Sequence, residues 1–283
     1  MASPLDDLSD ALTVGGYKLG SLLSRLTPAP ISQGATAFFA PGIALSLRNK
    51  RSMIERHLRR VNPHHSAFTI RLQSQQAFDS YMRYYAESFR LPTLSKKYVD
   101  SHFSVEGFHH LESALQQGKG VIAALPHLGG WEWAGRWIAD KGEKITVVVE
   151  PLQPPELFEW FAKLRSDLGM TVVPLGPDAL PAITAALRGN EIVCLLSDRD
   201  IQGGGKEVEF FGEKTTLPAG PAMLGLRTGA PVLPMGVYFT SKVDGHHAVV
   251  RPPLTLARIG SLRESVAVGT QALAHELEGL NPR

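Results

Sequence analysis

His127 and Glu132 stand five residues apart in the segment VIAALPHLGGWEWA, where an apolar, strand-like run ends at the histidine and Gly129-Gly130 leads into a helical pattern that carries the acid. The other nine histidines have no acid at that offset. A histidine at the open end of a strand lies where α/β proteins build their sites. Two groups five residues apart on one helix would face different ways, but a pair split between loop and helix can fold back on itself. Glu132 then accepts from one ring nitrogen, fixes the tautomer and leaves the other nitrogen free as a base. Its place in the first helical turn also favours the carboxylate.

Such a base suits deprotonation of an alcohol that attacks an activated acyl group. A thioester fits as donor, because a thiol of pKa about 8.5 leaves as thiolate without a strong acid. No serine or cysteine nucleophile is in evidence, so direct transfer in a ternary complex is expected over an acyl-enzyme. Backbone N–H groups of Gly129 and Gly130 at the helix start are candidates for an oxyanion or phosphate site. A second polar group, Asp198-Arg199-Asp200, follows the buried run IVCLL, and Glu150 ends the strand ITVVV in the same way. His127, Glu150 and Asp198 thus share the C-terminal ends of three strands and are expected to face one crevice. Arg165 is a candidate phosphate ligand through its planar guanidinium.

The elements that must hold these groups follow from the alternation after Val105. VIAAL, ITVVVE, TVVPL and IVCLL are separated by helical patterns, as in right-handed crossovers and a mostly parallel central sheet flanked by helices. EVEFF, AMLGLRTG, VLPMGVYF and HAVVRP continue the series, and a last helix opens with the capping box Ser261-x-x-Glu264. We expect one integrated molecule: residues 1–104 as a helical, basic, membrane-apposed part and residues 105–283 as the α/β core.

With 283 residues and 43% hydrophobic content, the chain can bury a sizeable core. Its net charge of +2 argues against general nucleic-acid binding, yet the charge is uneven. Residues 1–105 carry 13 Lys+Arg against 7 Asp+Glu, and the remainder 16 against 20. Much of the excess sits in RNKRSMIERHLRR, where Leu47, Ile54, Leu58 and Val61 recur at helical spacing. Arg48, Lys50, Arg51, Arg56, Arg59 and Arg60 make this a candidate for an anionic membrane surface. The apolar stretch of residues 35–47 is too short to span a bilayer and is expected to break at Pro41-Gly42. The acidic amino end lacks the basic and apolar regions of a secretory signal. Cys194, the single cysteine, reads as a small buried hydrophobe, and no metal-ligand spacing, P-loop, GxSxG elbow or GxGxxG is present. Gly203-Gly204-Gly205 reads as a flexible loop.

At PHLGGWEWAG, RSDLGM, LLSDRD, EVEFFGEKTTLPAGPA and RTGAPVLP, over roughly residues 80–280, the chain resembles the lauroyl/myristoyl-type lipid acyltransferases, and most closely their actinobacterial branch, the phosphatidylinositol mannoside acyltransferases. The resemblance implies a glycerolipid-acyltransferase-like fold and an acyl-CoA co-substrate, with no permanently bound cofactor. It implies transfer of a palmitoyl chain to the 6-hydroxyl of mannose in phosphatidylinositol mono- or dimannoside, at the cytoplasmic face of the plasma membrane. His127 takes the base role in it and Glu132 the orienting role, while Glu150, Arg165, Arg199 and Asp200 match acceptor-site positions; Asp198, from its place at the strand end, is expected to bind substrate beside them. The alternatives are the same chemistry on a lipid A precursor or a lysophospholipid, and a non-catalytic acyl-CoA or lipid carrier.

Overall fold

Two residues beyond Leu125 and two beyond Leu196 lie His127 and Asp198, and the sheet pairs those two strand ends directly. In the computed structural model, residues 4–201 and 203–281 are described, with side chains from Asp10 onward except that of Ala37. The chain begins with α1 (Pro4–Leu26), α2 (Ala29–Ser46), α3 (Arg48–Val61) and α4 (Ala67–Arg90), followed by α5 (Lys96–Ser101), β1 (Phe103–Glu106) and α6 (Phe108–Leu115). The crossover units follow as β2 (Val121–Leu125), α7 (Trp131–Asp140), β3 (Ile145–Val149), α8 (Pro155–Asp167), β4 (Met170–Pro174), α9 (Ala179–Arg188) and β5 (Ile192–Leu196). The chain closes with β6 (Lys206–Phe210), β7 (Glu213–Leu217), α10 (Gly220–Thr228), β8 (Val232–Phe239), β9 (His246–Val250) and α11 (Leu262–Leu280).

Seven strands form one sheet in the order β1-β9-β8-β2-β5-β3-β4, and β6 and β7 pair as a separate hairpin. Only β8 and β9 run antiparallel within the large sheet, so it is mostly parallel, as the alternation predicts. β2 lies at its centre with all five residues buried, which is why the run VIAAL is apolar on both faces. One face packs on α9, α10 and α11 through Ile183, Leu187, Leu224, Leu273 and Leu277. The other packs on α7 and α8 through Trp133, Trp137, Phe161, Leu164 and Leu168. The capping box opens α11 as expected: Glu264 N–H donates to Ser261 Oγ, and Ser261 N–H donates to Glu264 Oε2 at 2.7 Å.

The amino-terminal helices depart from expectation at Pro41. α2 continues through it to Ser46. A proline removes one helical donor, and here Ala40 and Ala44, both fully buried on the side where α2 packs on α4, hold the helix together. α3 forms over the basic run with no buried residue, so Ile54, Leu58 and Val61 are only half-covered. Among the described residues no helix is long and apolar enough to cross a membrane.

Candidate active site

The register Leu125↔Leu196 brings Pro126-His127 and Ser197-Asp198 to one level at the C-terminal edge of adjacent strands. Asp198 Oδ1 lies 2.6 Å from His127 Nδ1, and Asp198 Oδ2 accepts the His127 backbone N–H at 3.0 Å. One carboxylate therefore holds both the ring and the backbone of the histidine. An ionised Asp198 favours the tautomer with the proton on Nδ1, and the His127 side chain is exposed. Burial pushes the Asp198 carboxyl up, but the hydrogen bonds and charge of His127 outweigh it and hold the group below the usual carboxylate range.

Glu132 does not orient His127. It is 1% exposed, and its Oε1 accepts from Tyr84 Oη at 2.5 Å and from Arg165 Nη2 at 3.1 Å. The reason is the start of α7: Gly130 is its N-cap, so Glu132 falls in the first turn with its side chain directed into the helical layer, towards α4 and α8. Asp198, read as an acceptor-site residue, occupies the orienting position instead. Arg165 is also corrected. Its guanidinium is buried, ion-paired to Glu132 and laid over the rings of Trp131 (4.9 Å) and Phe161 (5.5 Å), not turned to a head group. Burial acts to lower the Arg165 pKa, but the neighbouring Glu132 charge raises it overall. Burial, then the Glu132 charge, pushes the Tyr84 hydroxyl well above its ordinary value, so it serves as a donor.

Of the remaining sequence candidates, Glu150 at the end of β3 and Arg199 beside Asp198 are exposed at this edge. Asp200 turns away from His127. Its Oδ1 accepts from Gly203 N–H at 3.0 Å and its Oδ2 from Gly205 N–H at 2.9 Å, so two of the three loop glycines are fastened to this carboxylate. Those contacts, with Gly205 the foremost, hold Asp200 below the usual range.

Gly129 and Gly130 are required by close approach. Gly129 has φ +55°, and a Cβ there would sit 2.3 Å from the Val237 carbonyl oxygen of β8. A Cβ on Gly130 would lie 2.6 Å from His246 Nε2.

Next to this turn an apolar cavity runs between the sheet and α6–α7. Its volume is about 70 Å³. Leu125 and Trp131 line it beside the His127 turn, and Ala123, Cys194, Gly135 and Met235 are among its other walls. The small side chains of β2 and β5 leave this room. Cys194 is only partly buried there, in the cavity wall, and its thiol is pushed up to about 12 by desolvation, which makes it inert as a nucleophile.

A histidine held by a carboxylate at the C-terminal ends of a mostly parallel sheet, next to an apolar cavity, suits an enzyme that moves acyl chains. The family model for bacterial lipid A biosynthesis acyltransferases matches residues 14–280, and the chain belongs to that family. It is 35% identical over 271 residues to the phosphatidylinositol mannoside acyltransferase of Mycolicibacterium smegmatis, covering 94% of this chain and 86% of that one. It is 36% identical over 196 residues to the protein of the same name from Mycobacterium tuberculosis, covering 68% and 62%. A lipid A biosynthesis palmitoleoyltransferase of Escherichia coli is 24% identical over 213 residues, covering 74% and 68%.

Proposed function

We propose that the chain transfers a long fatty acyl group, palmitoyl, from acyl-CoA to the 6-hydroxyl of mannose in phosphatidylinositol mono- or dimannoside. The observation that carries this reading is the 2.6 Å contact of His127 Nδ1 with Asp198, two residues beyond Leu125 in the wall of the apolar cavity. The two mycobacterial relatives, both phosphatidylinositol mannoside acyltransferases by name, support the acceptor class.

In the step we infer, His127 Nε2 takes the proton of the mannose hydroxyl as its oxygen attacks the thioester carbonyl, while Asp198 stabilises the imidazolium that forms. Backbone N–H groups at the Gly129-Gly130 turn stabilise the tetrahedral oxyanion. The C–S bond then breaks, the CoA thiolate departs and takes the proton from the imidazolium, and the ester remains on the sugar. An acyl-enzyme on Cys194 is disfavoured, because its pKa is raised to about 12. The acyl chain threads into the cavity lined by Ala123, Leu125 and Trp131, whose apolar walls part to take its full length. Glu150 and Arg199, exposed at the same edge, contact the polar acceptor.

The enzyme works as a peripheral protein at the cytoplasmic face of the plasma membrane. Leu19, Leu22, Leu23 and Leu26 of α1 and Phe38 and Phe39 of α2 are all more than half exposed, an apolar face that a lipid surface would cover. Arg48, Lys50, Arg51, Arg56, Arg59 and Arg60 on α3 add attraction to anionic head groups. Transfer of labelled palmitoyl from palmitoyl-CoA to phosphatidylinositol dimannoside, with His127→Ala beside the natural chain, tests the proposal. Turnover lost in the variant supports it. Transfer to a lipid A precursor or a lysophospholipid in place of the mannoside would change the acceptor, and tight acyl-CoA binding without any transfer would mean a carrier.

A further inference from the structure

His246 is a buried ionisable side chain with no part in the transfer step, yet it lies against the turn that makes it. It opens β9 and is 2% exposed. Because β9 runs antiparallel to β8, its first residue stands at the end of the sheet where His127 stands. The ring stacks on Trp133 of α7, with centroids 4.3 Å apart and planes 24° apart. Nδ1 lies 3.0 Å from the Asp244 carbonyl oxygen, and Nε2 lies 3.0 Å from Glu87 Oε2 of α4. Both ring nitrogens thus lie within 3.0 Å of an oxygen, the Nε2 contact with Glu87 being a close approach without hydrogen-bond geometry.

Glu87 is itself held from two sides. Its Oε1 accepts from Gln33 Nε2 of α2 at 2.9 Å and from Arg83 Nε at 2.7 Å. Arg83 also donates to the carbonyls of Thr240, Lys242 and Gly245, in the β8–β9 connection. In the same layer Arg90 pairs with the fully buried Asp244, which accepts from Tyr98 Oη at 2.9 Å.

On its other side the ring meets Gly130. The backbone there, at φ −101°, admits any residue, but a Cβ would fall 2.6 Å from His246 Nε2 and 3.0 Å from Cδ2; its third nearest neighbour, Phe239 Cε1, is at an ordinary 3.6 Å. His246 is therefore the surface that requires glycine at this point of the turn.

We propose that His246 is a positioning residue of the transfer reaction: gripped by Glu87, it forms the floor on which the His127–Gly130 turn is set. Through Gln33 and Glu87 the amino-terminal helices support that turn. The inference rests on the reading of His127 as the base, and it acts through geometry, since His246 touches no reacting atom.

The test uses the full chain with labelled palmitoyl-CoA and phosphatidylinositol dimannoside in mixed micelles, with thermal unfolding recorded for each variant. His246→Ala is expected to lower kcat by about 10²-fold, as a misplacement of about 1 Å does, with KM for palmitoyl-CoA changed by less than about twofold. His246→Gln, which keeps a donor towards Glu87, recovers part of the loss. Gly130→Ala alone slows transfer, but adding it to His246→Ala brings no further loss, because the methyl group enters the space left by the ring. An unchanged kcat in folded His246→Ala, or losses from the two substitutions that multiply independently, overturns the proposal. Should His246→Ala not fold, Glu87→Gln decides: a fall in kcat at constant KM supports the floor, and a normal kcat removes it. Transfer retained by His127→Ala would overturn the underlying reading instead, and is seen separately.

Discussion

Asp198 grips His127 twice, at ring Nδ1 and at the backbone N–H, because β2 and β5 are neighbours in a register that keeps the two residues level. Asp198→Asn keeps the shape but offers an amide N–H to Nδ1, which turns the ring to the tautomer with Nε2 protonated. We expect kcat to fall by about 10²–10⁴-fold with KM for acyl-CoA little changed. Steady-state kinetics on folded protein measures this, and a near-normal kcat would remove Asp198 from the mechanism.

The same contact sets an acid dependence. The Asp198 carboxyl is raised by burial but brought below its ordinary pKa by His127, so the folded state favours the ionised form. Its stabilisation is fully present above the unfolded-state pKa of about 3.9 and is lost as pH falls through the lower folded-state value. In Asp198→Asn, urea-unfolding free energies measured between about pH 5 and 2 should decline less steeply than in the natural chain.

Glu132 is expected to matter first for stability. Glu132→Ala leaves the Arg165 guanidinium buried without its partner, which costs about 3–5 kcal/mol in unfolding free energy. Glu132→Gln keeps an acceptor for Tyr84 and Arg165 and should cost less. A large loss of kcat in Glu132→Gln with unchanged stability would return this residue to the catalytic role that its spacing from His127 suggests.

Much of the architecture is legible in the sequence because each strand and helix carries its own period. The runs VIAAL, ITVVV and IVCLL, the helical stripe of Leu157, Phe161 and Leu164, and the Ser261–Glu264 cap are local statements, and local chemistry decides them. β1, four residues of alternating burial, and β7, whose first four residues are exposed, carry too little apolar signal to be seen. The site is harder to read, since the partner of His127 depends on strand order. β5 inserts between β2 and β3, and nothing near His127 encodes that. Tyr84 and His246 were missed for the same reason: each reaches the site from an element far along the chain. The available signals were Tyr84 within an aromatic-rich helix and His246 at a strand edge, neither distinctive alone.

Cavity shape should govern the donor. Ala123 faces the apolar space beside Cys194, so Ala123→Phe fills it. The ratio of kcat/KM for palmitoyl-CoA over lauroyl-CoA is expected to drop by about tenfold or more, since each unburied methylene forfeits about 0.8 kcal/mol. An unchanged ratio would place the acyl chain elsewhere.

Electrostatic docking has its own readout. Reversing Arg56, Arg59 and Arg60 to Glu should weaken cosedimentation with anionic phospholipid vesicles by about 1 kcal/mol or more per charge, while leaving turnover on micellar substrate intact. Equal vesicle binding by the variant would assign docking to the apolar face of α1 and α2 alone.

The insertion of β5 between β2 and β3 has a consequence for the order in which the molecule matures. β2 and β3 are made first, and His127 with them, but they flank an empty slot until some fifty more residues have been added. Filling that slot delivers Asp198. Closing the sheet and arming the histidine are then one event, a long-range pairing that is slow to form for entropic reasons. A chain caught during synthesis or refolding with β5 unpaired lacks the His127–Asp198 contact, so return of turnover should track the slowest sheet-forming phase and lag behind the recovery of helical signal.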